Sequence, residues 1–349
     1  MTKINIGIIG SGFNGQIAFI ENLYKNKKCK INGLAEARPI LRKKVAKKYK
    51  IPNTYSSHLD LIQDIKKFDG IVVVTKRNMI GPVSLEFLKL GKPVLTEKPM
   101  AGTYKQSLKL LNTAKKFKTL YKIGYNKIYD DGILKAKLFF DKLIKNKNFG
   151  KIVLIRSHRL SGSGYDSKNK HITTKEKNFL SNPSWTIKPN WLPQKLQKSY
   201  DKYLNLYCHN ISLLRYFTNE IPKVENASLS DFTMSIVNLK YKKFNATLET
   251  GFFTKKGWDE TLEIYFEYGS IIITLPPQHH KKITASFVVH NTKKDKKYNF
   301  KSQKTWAFKN QTDSFIEDII KNKIKINKAE DGVKDIKLIE DIWKNYLKK

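Results

Sequence analysis

Six residues, Gly10-Ser11-Gly12-Phe13-Asn14-Gly15, stand between a short apolar run, Ile4–Ile9, and an amphipathic stretch, Gln16–Lys25. A strand that feeds a glycine-rich turn and then a helix is compatible with few folds. The glycines allow a tight turn and let backbone approach a pyrophosphate at the helix N-terminus. Alone, the pattern also fits a purely structural turn, so its context decides. Ile31–Ala35 reads as a second strand, and Glu36 follows it about 20 residues past the loop, placed to accept hydrogen bonds from adenosine ribose hydroxyls. Gly10, Gly12, Phe13, Asn14, Gly15 and Glu36 are therefore the expected dinucleotide contacts, joined by Thr75 at the end of a later strand. A carboxylate at Glu36 repels a 2′-phosphate and predicts NAD. Arg38, two residues on, is able to reach such a phosphate, so NADP stays open; its other reading is a solvated arginine at a helix start.

The following residues repeat the strand–helix alternation of a parallel sheet covered by helices. Pro39–Tyr49 reads as a helix opened by proline, Ile71–Thr75 as a buried strand, Pro82–Leu90 as a helix ending at Gly91, Pro93–Thr96 as a strand and Lys105–Lys116 as a helix. Past Gly124 the pattern changes. A helix over Gly132–Lys145 leads to longer alternating runs, Lys151–His158, Val224–Leu239, Phe244–Phe253, Leu262–Thr274 and Ile283–His290, before helices over Asp313–Lys321 and Gly332–Lys348. The expected fold class is α/β: an N-terminal Rossmann domain over residues 1–124, and a C-terminal α+β domain over 125–349 with a large, mostly antiparallel open sheet. The long segment Leu160–Asp201 carries Lys168, Lys170, His171, Lys188 and Lys195, and a loop of that length is usually functional.

Composition bounds the alternatives. Apolar residues make up 40% of the 349 and aromatics 12%, enough to fill cores despite a net charge of +37. That charge raises nucleic-acid binding as a remote alternative, but the lysines are scattered rather than clustered; they predict attraction of anionic ligands and no specific nucleic acid. Cys29 and Cys208 lie far apart, which suits a reducing, cytoplasmic setting. No apolar run approaches the ~20 residues of a membrane span. The seven histidines, His58, His158, His171, His209, His279, His280 and His290, show no metal-ligand spacing with cysteine or carboxylate, so no metal is expected.

Several further motifs fall in order along the chain: Gly91-Lys92-Pro93-Val94-Leu95-Thr96-Glu97-Lys98-Pro99, Gly124-Tyr125-Asn126, Phe149-Gly150-Lys151-Ile152 and Glu330-Asp331-Gly332. With the glycine loop, they make the chain resemble the Gfo/Idh/MocA oxidoreductases, named after glucose-fructose oxidoreductase and inositol 2-dehydrogenase. Glu-Lys-Pro is the most specific of these motifs. The resemblance implies that Glu97 touches the nicotinamide ribose and that Lys98 orients substrate. Independently, Lys98 ends a strand where open α/β sheets place ligands, and an ammonium there can stabilise charge as hydride moves. The resemblance also implies hydride exchange with a sugar, cyclitol or sugar nucleotide; the cationic surface and the lysines of the long Leu160–Asp201 loop favour an activated sugar such as a nucleotide-linked hexose, as in surface-polysaccharide synthesis. It further implies a homo-oligomer, dimer or tetramer, built through the C-terminal sheet.

The family's Asp-x-x-x-His signature aligns with Asn205-Leu206-Tyr207-Cys208-His209. Spacing i, i+4 puts Asn205 and His209 on one helix face, and imidazole suits a general base near neutrality. Asn205 can orient the ring but supplies no negative charge, which opens a second reading: a dinucleotide-bound sugar-binding or regulatory protein without turnover. Ser199-Tyr200-Asp201 replaces the usual glycines, and Ser212, Lys76 and Ile80 also depart from the family pattern. Tyr200 is a candidate substrate contact, and Asp201 either partners His209 or caps the helix. Asn126 is expected to read a substrate hydroxyl; Trp191 either stacks on sugar or fills core.

Overall fold

The computed structural model describes residues 3–162, 170–177, 185–230, 234–254, 257–300 and 305–348. Two compact units emerge. The first comprises Met1–Tyr125, Asn169–Pro193 and Phe308–Ile336, and the second Asn126–Lys168, Gln194–Ala307 and Lys337–Lys349. The division expected after residue 124 falls one residue from the first of these boundaries, and two later stretches return to the first unit.

The first unit holds β1 (Ile4–Ile9), α1 (Glu21–Lys25), β2 (Cys29–Ala35), α2 (Pro39–Tyr49), β3 (Asn53–Tyr55), α3 (His58–Gln63), β4 (Gly70–Val73), α4 (Arg77–Lys89), β5 (Val94–Glu97), α5 (Tyr104–Lys116) and β6 (Tyr121–Gly124). Its strands pair in parallel in the order β3-β2-β1-β4-β5-β6, so the chain reverses direction across the sheet between β1 and β4. The glycine loop and Thr75 stand at that reversal, where open α/β sheets open a crevice. β4 and β5 are buried along their whole lengths, as strands covered on both faces are, although β5 ends in Thr96 and Glu97.

The structure corrects several expected boundaries. The first helix begins as a π-helical turn over Gly15–Ile20. β4 ends at Val73 rather than Thr75. α4 starts at Arg77 and passes through Pro82, which was expected to open it. β3, α3 and β6 were not anticipated, because three- and four-residue strands carry too little periodicity to read.

The second unit holds α6 (Asp131–Asn146), β7 (Ile152–Gly162), α7 (Gln197–Thr218), β8 (Lys223–Ser230), β9 (Met234–Lys240), β10 (Asn245–Thr254), β11 (Trp258–Phe266), β12 (Gly269–Thr274), β13 (Ser286–Asn291) and β14 (Lys296–Phe300). These form one eight-stranded sheet, β14-β13-β12-β11-β7-β10-β9-β8, antiparallel throughout except for β7 against β10. Burial alternates along β7, β9 and β11, which marks one covered and one open face. The run expected as Val224–Leu239 is two strands whose junction, residues 231–233, lies outside the described residues. Leu262–Thr274 is also two strands, turning at Glu267-Tyr268. Lys168 of the long loop likewise lies outside the described residues.

Two helices close the chain, α8 (Ala307–Lys321) and α9 (Ala329–Leu347), both starting earlier than expected. In the first unit the Lys122 ammonium of β6, fully enclosed, pairs with Asp318 of α8 and donates to Ser314 Oγ at 2.8 Å. Burial pulls this ammonium down to about 8, and the Asp318 charge opposes that pull. Ile123 N–H donates to Asn327 O at 2.9 Å, so the stretch before α9 extends the hydrogen bonding of β6. Gly332 has a structural reason: a Cβ there would lie 2.6 Å from Met100 Sδ, just beyond Lys98-Pro99.

Candidate active site and dinucleotide cradle

The three loop glycines do different work. Gly10 has φ +96°, and a Cβ on it would lie 2.2 Å from the Val74 carbonyl oxygen. A Cβ on Gly15 would meet the Gly10 carbonyl oxygen at 2.6 Å, whereas one on Gly12 would meet nothing within 4 Å. The first and third glycines therefore close the loop on itself, and the second leaves open space where a pyrophosphate needs backbone contact. The loop fits the nucleotide expected of it.

Glu36 is enclosed, and its carboxylate is crowded with donors. Oε2 accepts from Ser11 N–H and Ser11 Oγ, both at 2.9 Å, and from Arg38 Nη2 at 3.0 Å; Oε1 accepts from Arg38 Nε at 2.8 Å and Arg38 N–H at 3.2 Å. Burial works against its charge, but the Arg38 and Ser11 hydrogen bonds outweigh that and hold Glu36 below the usual carboxylate range. Arg38 pairs bidentately with Glu36 here, so a phosphate that drew on this guanidinium would compete with that carboxylate. A ribose hydroxyl has to share Glu36 with Ser11 and Arg38.

The loop Leu160–Asp201 contributes residues that sequence reasoning missed. Gln16, on the first helix, is buried and holds the backbone of Ile172 from both sides: Nε2 donates to Ile172 O at 2.9 Å, and Ile172 N–H donates to Oε1 at 2.8 Å. His171 packs edge-on to Phe13 with ring centroids 5.0 Å apart. Phe13 was expected at the nucleotide; here its ring also anchors this strap. Asn14 sits half-buried beside it.

At β5, Glu97 is buried, and its Oε2 accepts the Lys98 backbone N–H at 2.7 Å. Burial raises the Glu97 carboxyl above its ordinary range, opposed by the Lys98 charge. The Lys98-Pro99 peptide is cis, Lys98 is half-buried, and Met100 and Ala101 are enclosed directly after it. Residues 185–190 pack on this turn, since a Cβ on Gly102 would lie 2.5 Å from the Ile187 carbonyl oxygen. Trp191, in the same unit, is 37% exposed, so ordinary core burial does not describe it.

In the second unit, α7 carries Asn205 and His209 one turn apart, as the spacing predicts; His209 is buried and Asn205 half-buried. α7 starts at Gln197, four residues before Asp201, which rules out Asp201 as its N-cap. Tyr200 is fully enclosed, with its ring edge-on to Trp343 at 5.6 Å, the contact of a packing residue. Asn126 is 1% exposed, and neither end of its amide has a hydrogen-bond partner among the described residues. It lines a small cavity with Asp130, Gln278, His280 and Trp306. Burial raises the Asp130 carboxyl to about 6, against the backbone donors Gly132 and Ala285.

Sequence reasoning also missed a charged cluster behind α7. Lys127 and Glu260 form a buried ion pair. Arg159, 4% exposed, sits over the Trp258 ring at 5.0 Å and donates to the Leu206 carbonyl of α7. Asn210 Nδ2 donates to Glu260 Oε1 at 3.3 Å. The strand pairing that sets Glu260 opposite Arg159 brings these groups together, and no local pattern announces it.

The sheet order, the glycine loop and Glu36 define a dinucleotide-binding Rossmann unit joined in one chain to an α+β unit. Residues 4–125 match the family model GFO_IDH_MocA, described as oxidoreductase family, NAD-binding Rossmann fold. The chain is similar to levoglucosan dehydrogenase of Pseudarthrobacter phenanthrenivorans, 22% identical over 241 residues that cover 66% of this chain and 55% of that protein. It is also similar to 2,7-anhydro-N-acetylneuraminate hydratase of Escherichia coli, 23% identical over 221 residues covering 63% and 51%. The match thus spans about half the length of these curated relatives. A solved levoglucosan dehydrogenase, in complex with NADH and levoglucosan, shares the fold over 99% of this chain and 98% of that one, with TM-score 0.78 and 17% identity.

Proposed function

We propose that the chain is an NAD-dependent oxidoreductase acting on a secondary alcohol of a sugar, cyclitol or sugar nucleotide. The observation that carries this reading is Lys98 at the C-terminal end of β5, in the same sheet as the nucleotide cradle and directly after buried Glu97. Nicotinamide, when bound, supplies the hydride acceptor or donor. Lys98 holds the alcohol oxygen and stabilises the charge that develops on it. His209 takes the hydroxyl proton, and Asn205 orients the imidazole. Gly10, Gly12, Gly15, Glu36, Thr75 and Glu97 hold the nucleotide. The names of the two relatives, a levoglucosan dehydrogenase and a 2,7-anhydro-N-acetylneuraminate hydratase, support a sugar-type substrate.

The test is NADH formation across free sugars, inositols, anhydro-sugars and sugar nucleotides, with His209→Ala as control. Turnover of any of these that His209→Ala abolishes supports the reading. A sugar that binds without NADH formation favours the second reading, a non-catalytic sugar-binding protein, which the neutral Asn205 motivates.

Asn205→Asp places a carboxylate one helical turn from the imidazole. We expect the acid limb of the kcat/KM profile to move up by about one pH unit, since an adjacent negative charge favours imidazolium. An unchanged profile means that the two side chains do not interact.

We also propose a homo-oligomer through the open face of the eight-stranded sheet, in a cytoplasmic setting. Met234 and Ile236 of β9 stand 50% and 41% exposed on that face. A row of ion pairs, Arg156 with Glu249 and Glu263 and His158 with Glu249, lies on the same side. Ile236→Lys is expected to shift sedimentation equilibrium toward monomer; an unaltered mass places the interface elsewhere. No helix among the described residues is long and apolar enough to cross a membrane.

A further inference from the structure

The N-terminus of α2, the helix entered from Glu36 and Arg38, has no acidic residue in its first turn and no side-chain cap from its own neighbourhood. Its cap comes from far along the chain. Glu176 Oε1 accepts from Ile40 N–H at 2.8 Å and Oε2 from Leu41 N–H at 2.9 Å. Thr174 Oγ1 donates to the same carboxylate at 2.8 Å. The strap that carries Glu176 is fixed by Gln16 at Ile172 and by Phe13 at His171. The carboxylate is therefore held in place rather than left on a mobile side chain.

This position has chemical meaning because the residues just after β2 meet the adenosine ribose in this fold. In a nucleotide that carries a 2′-phosphate, the extra group needs cationic and N–H donors here. The donors at this end of α2 include the Arg38 guanidinium, the first α2 amides and Arg42, whose Nη1 is already given to the Glu36 carbonyl oxygen at 2.6 Å. Glu36 occupies the Arg38 guanidinium and Glu176 the α2 amides, and Arg38 also lies within the field of Glu176. Burial works against charge on Glu176, but the amide and hydroxyl donors and Arg38 keep its carboxyl below the ordinary range, so it is ionised at neutral pH. A protein of net charge +37 attracts anions without distinction, and a phosphate near −2 more than a hydroxyl. Discrimination against the more charged nucleotide has to be built locally.

We propose that Glu176 is an internal stand-in for the 2′-phosphate and a specificity-determining residue: it fills the anion site at the start of α2 and so selects NAD over NADP. This rests on the NAD-dependent reading above and adds to it a residue from outside the matched Rossmann segment. The carboxylate acts by occupying the donors that a 2′-phosphate requires and by repelling its charge. Glu36 alone guards the ribose hydroxyl side; Glu176 guards the helix side.

The test is direct titration of NADH and NADPH into the full chain at about 0.15 M salt, followed by nucleotide fluorescence. The proteins are wild type, Glu176→Gln and Glu176→Ala, with a melting curve for each. Glu176→Gln keeps the size and a carbonyl acceptor for the α2 amides while removing the charge. Its Kd for NADPH is expected to fall by about tenfold or more, with the Kd for NADH changing by less than about threefold. Glu176→Ala, which vacates the amides, is expected to favour NADPH further. Equal shifts for both nucleotides, or no gain for NADPH in either variant, would overturn the proposal. A wild-type chain that binds neither nucleotide would overturn the NAD reading and this proposal together; one that binds NADH while the variants fail to gain NADPH overturns this proposal alone.

Discussion

Lys98→Ala is expected to lower kcat by about 10²–10³ while leaving the Kd for NADH within about threefold, because in the mechanism proposed above the ammonium acts on charge that appears only as hydride moves. The structure separates these two effects. The nucleotide cradle is made by the glycine loop, Ser11 and Glu36, whereas Lys98 stands at the end of β5. The Lys98 backbone N–H, which satisfies Glu97, survives the substitution. Removing the side chain also removes the charge that opposes burial of Glu97, so the Glu97 carboxyl should rise further above its ordinary range. Steady-state kinetics on the best substrate, with NADH fluorescence titration alongside, measure both quantities. Activity within about tenfold of wild type would exclude Lys98 from the chemistry.

The second large effect concerns stability. Glu260→Gln leaves the Lys127 ammonium and the Arg159 guanidinium together in the interior with no carboxylate between them. Losing one partner of a buried pair costs about 3–5 kcal/mol. For a unit of this size that is a loss of about 10 °C in the melting transition assigned to the second unit. Lys127 sharpens the effect: burial already pulls its ammonium down to about 8, and Glu260 is the charge that opposes this. The double variant Lys127→Met/Glu260→Leu should recover part of the loss, because it removes the Lys127–Glu260 pair at similar volume while Arg159 keeps its bond to the Leu206 carbonyl. Calorimetry of the three proteins decides the matter; a drop below about 1 kcal/mol for Glu260→Gln would mean that the pair is screened by water.

Much of the Rossmann unit was legible because its signals are local. Gly10, Gly12 and Gly15 have fixed spacing, and the Ile-Val-Val run of β4 is the kind of unbroken apolar stretch that a doubly covered sheet uses. The i, i+4 placement of Asn205 and His209 was readable for the same reason. What escaped was set by distance along the chain. Glu176 caps amides 135 and 136 residues away, and Glu260 meets Lys127 across 133 residues. Arg38 shows the limit most clearly. Its type and position fit a phosphate ligand or a solvated helix start, and the bidentate contact to Glu36 is a third role that no local pattern announces. The N-cap reading of Asp201 failed because α7 starts four residues upstream of it, in a stretch without a capping signal.

The pairing of Lys122 with Asp318, and of Ile123 with Asn327, has a consequence for synthesis on the ribosome. The lobe encoded first is finished nearly last. A nascent chain that has emerged only through β6 holds an interior ammonium whose counter-charge is almost 200 residues from being translated, and a second helix still without the glutamate that caps it. An isolated N-terminal fragment ending at Tyr125 inherits both deficits permanently, so expression trials of the nucleotide lobe call for grafting back the returning segments rather than simple truncation.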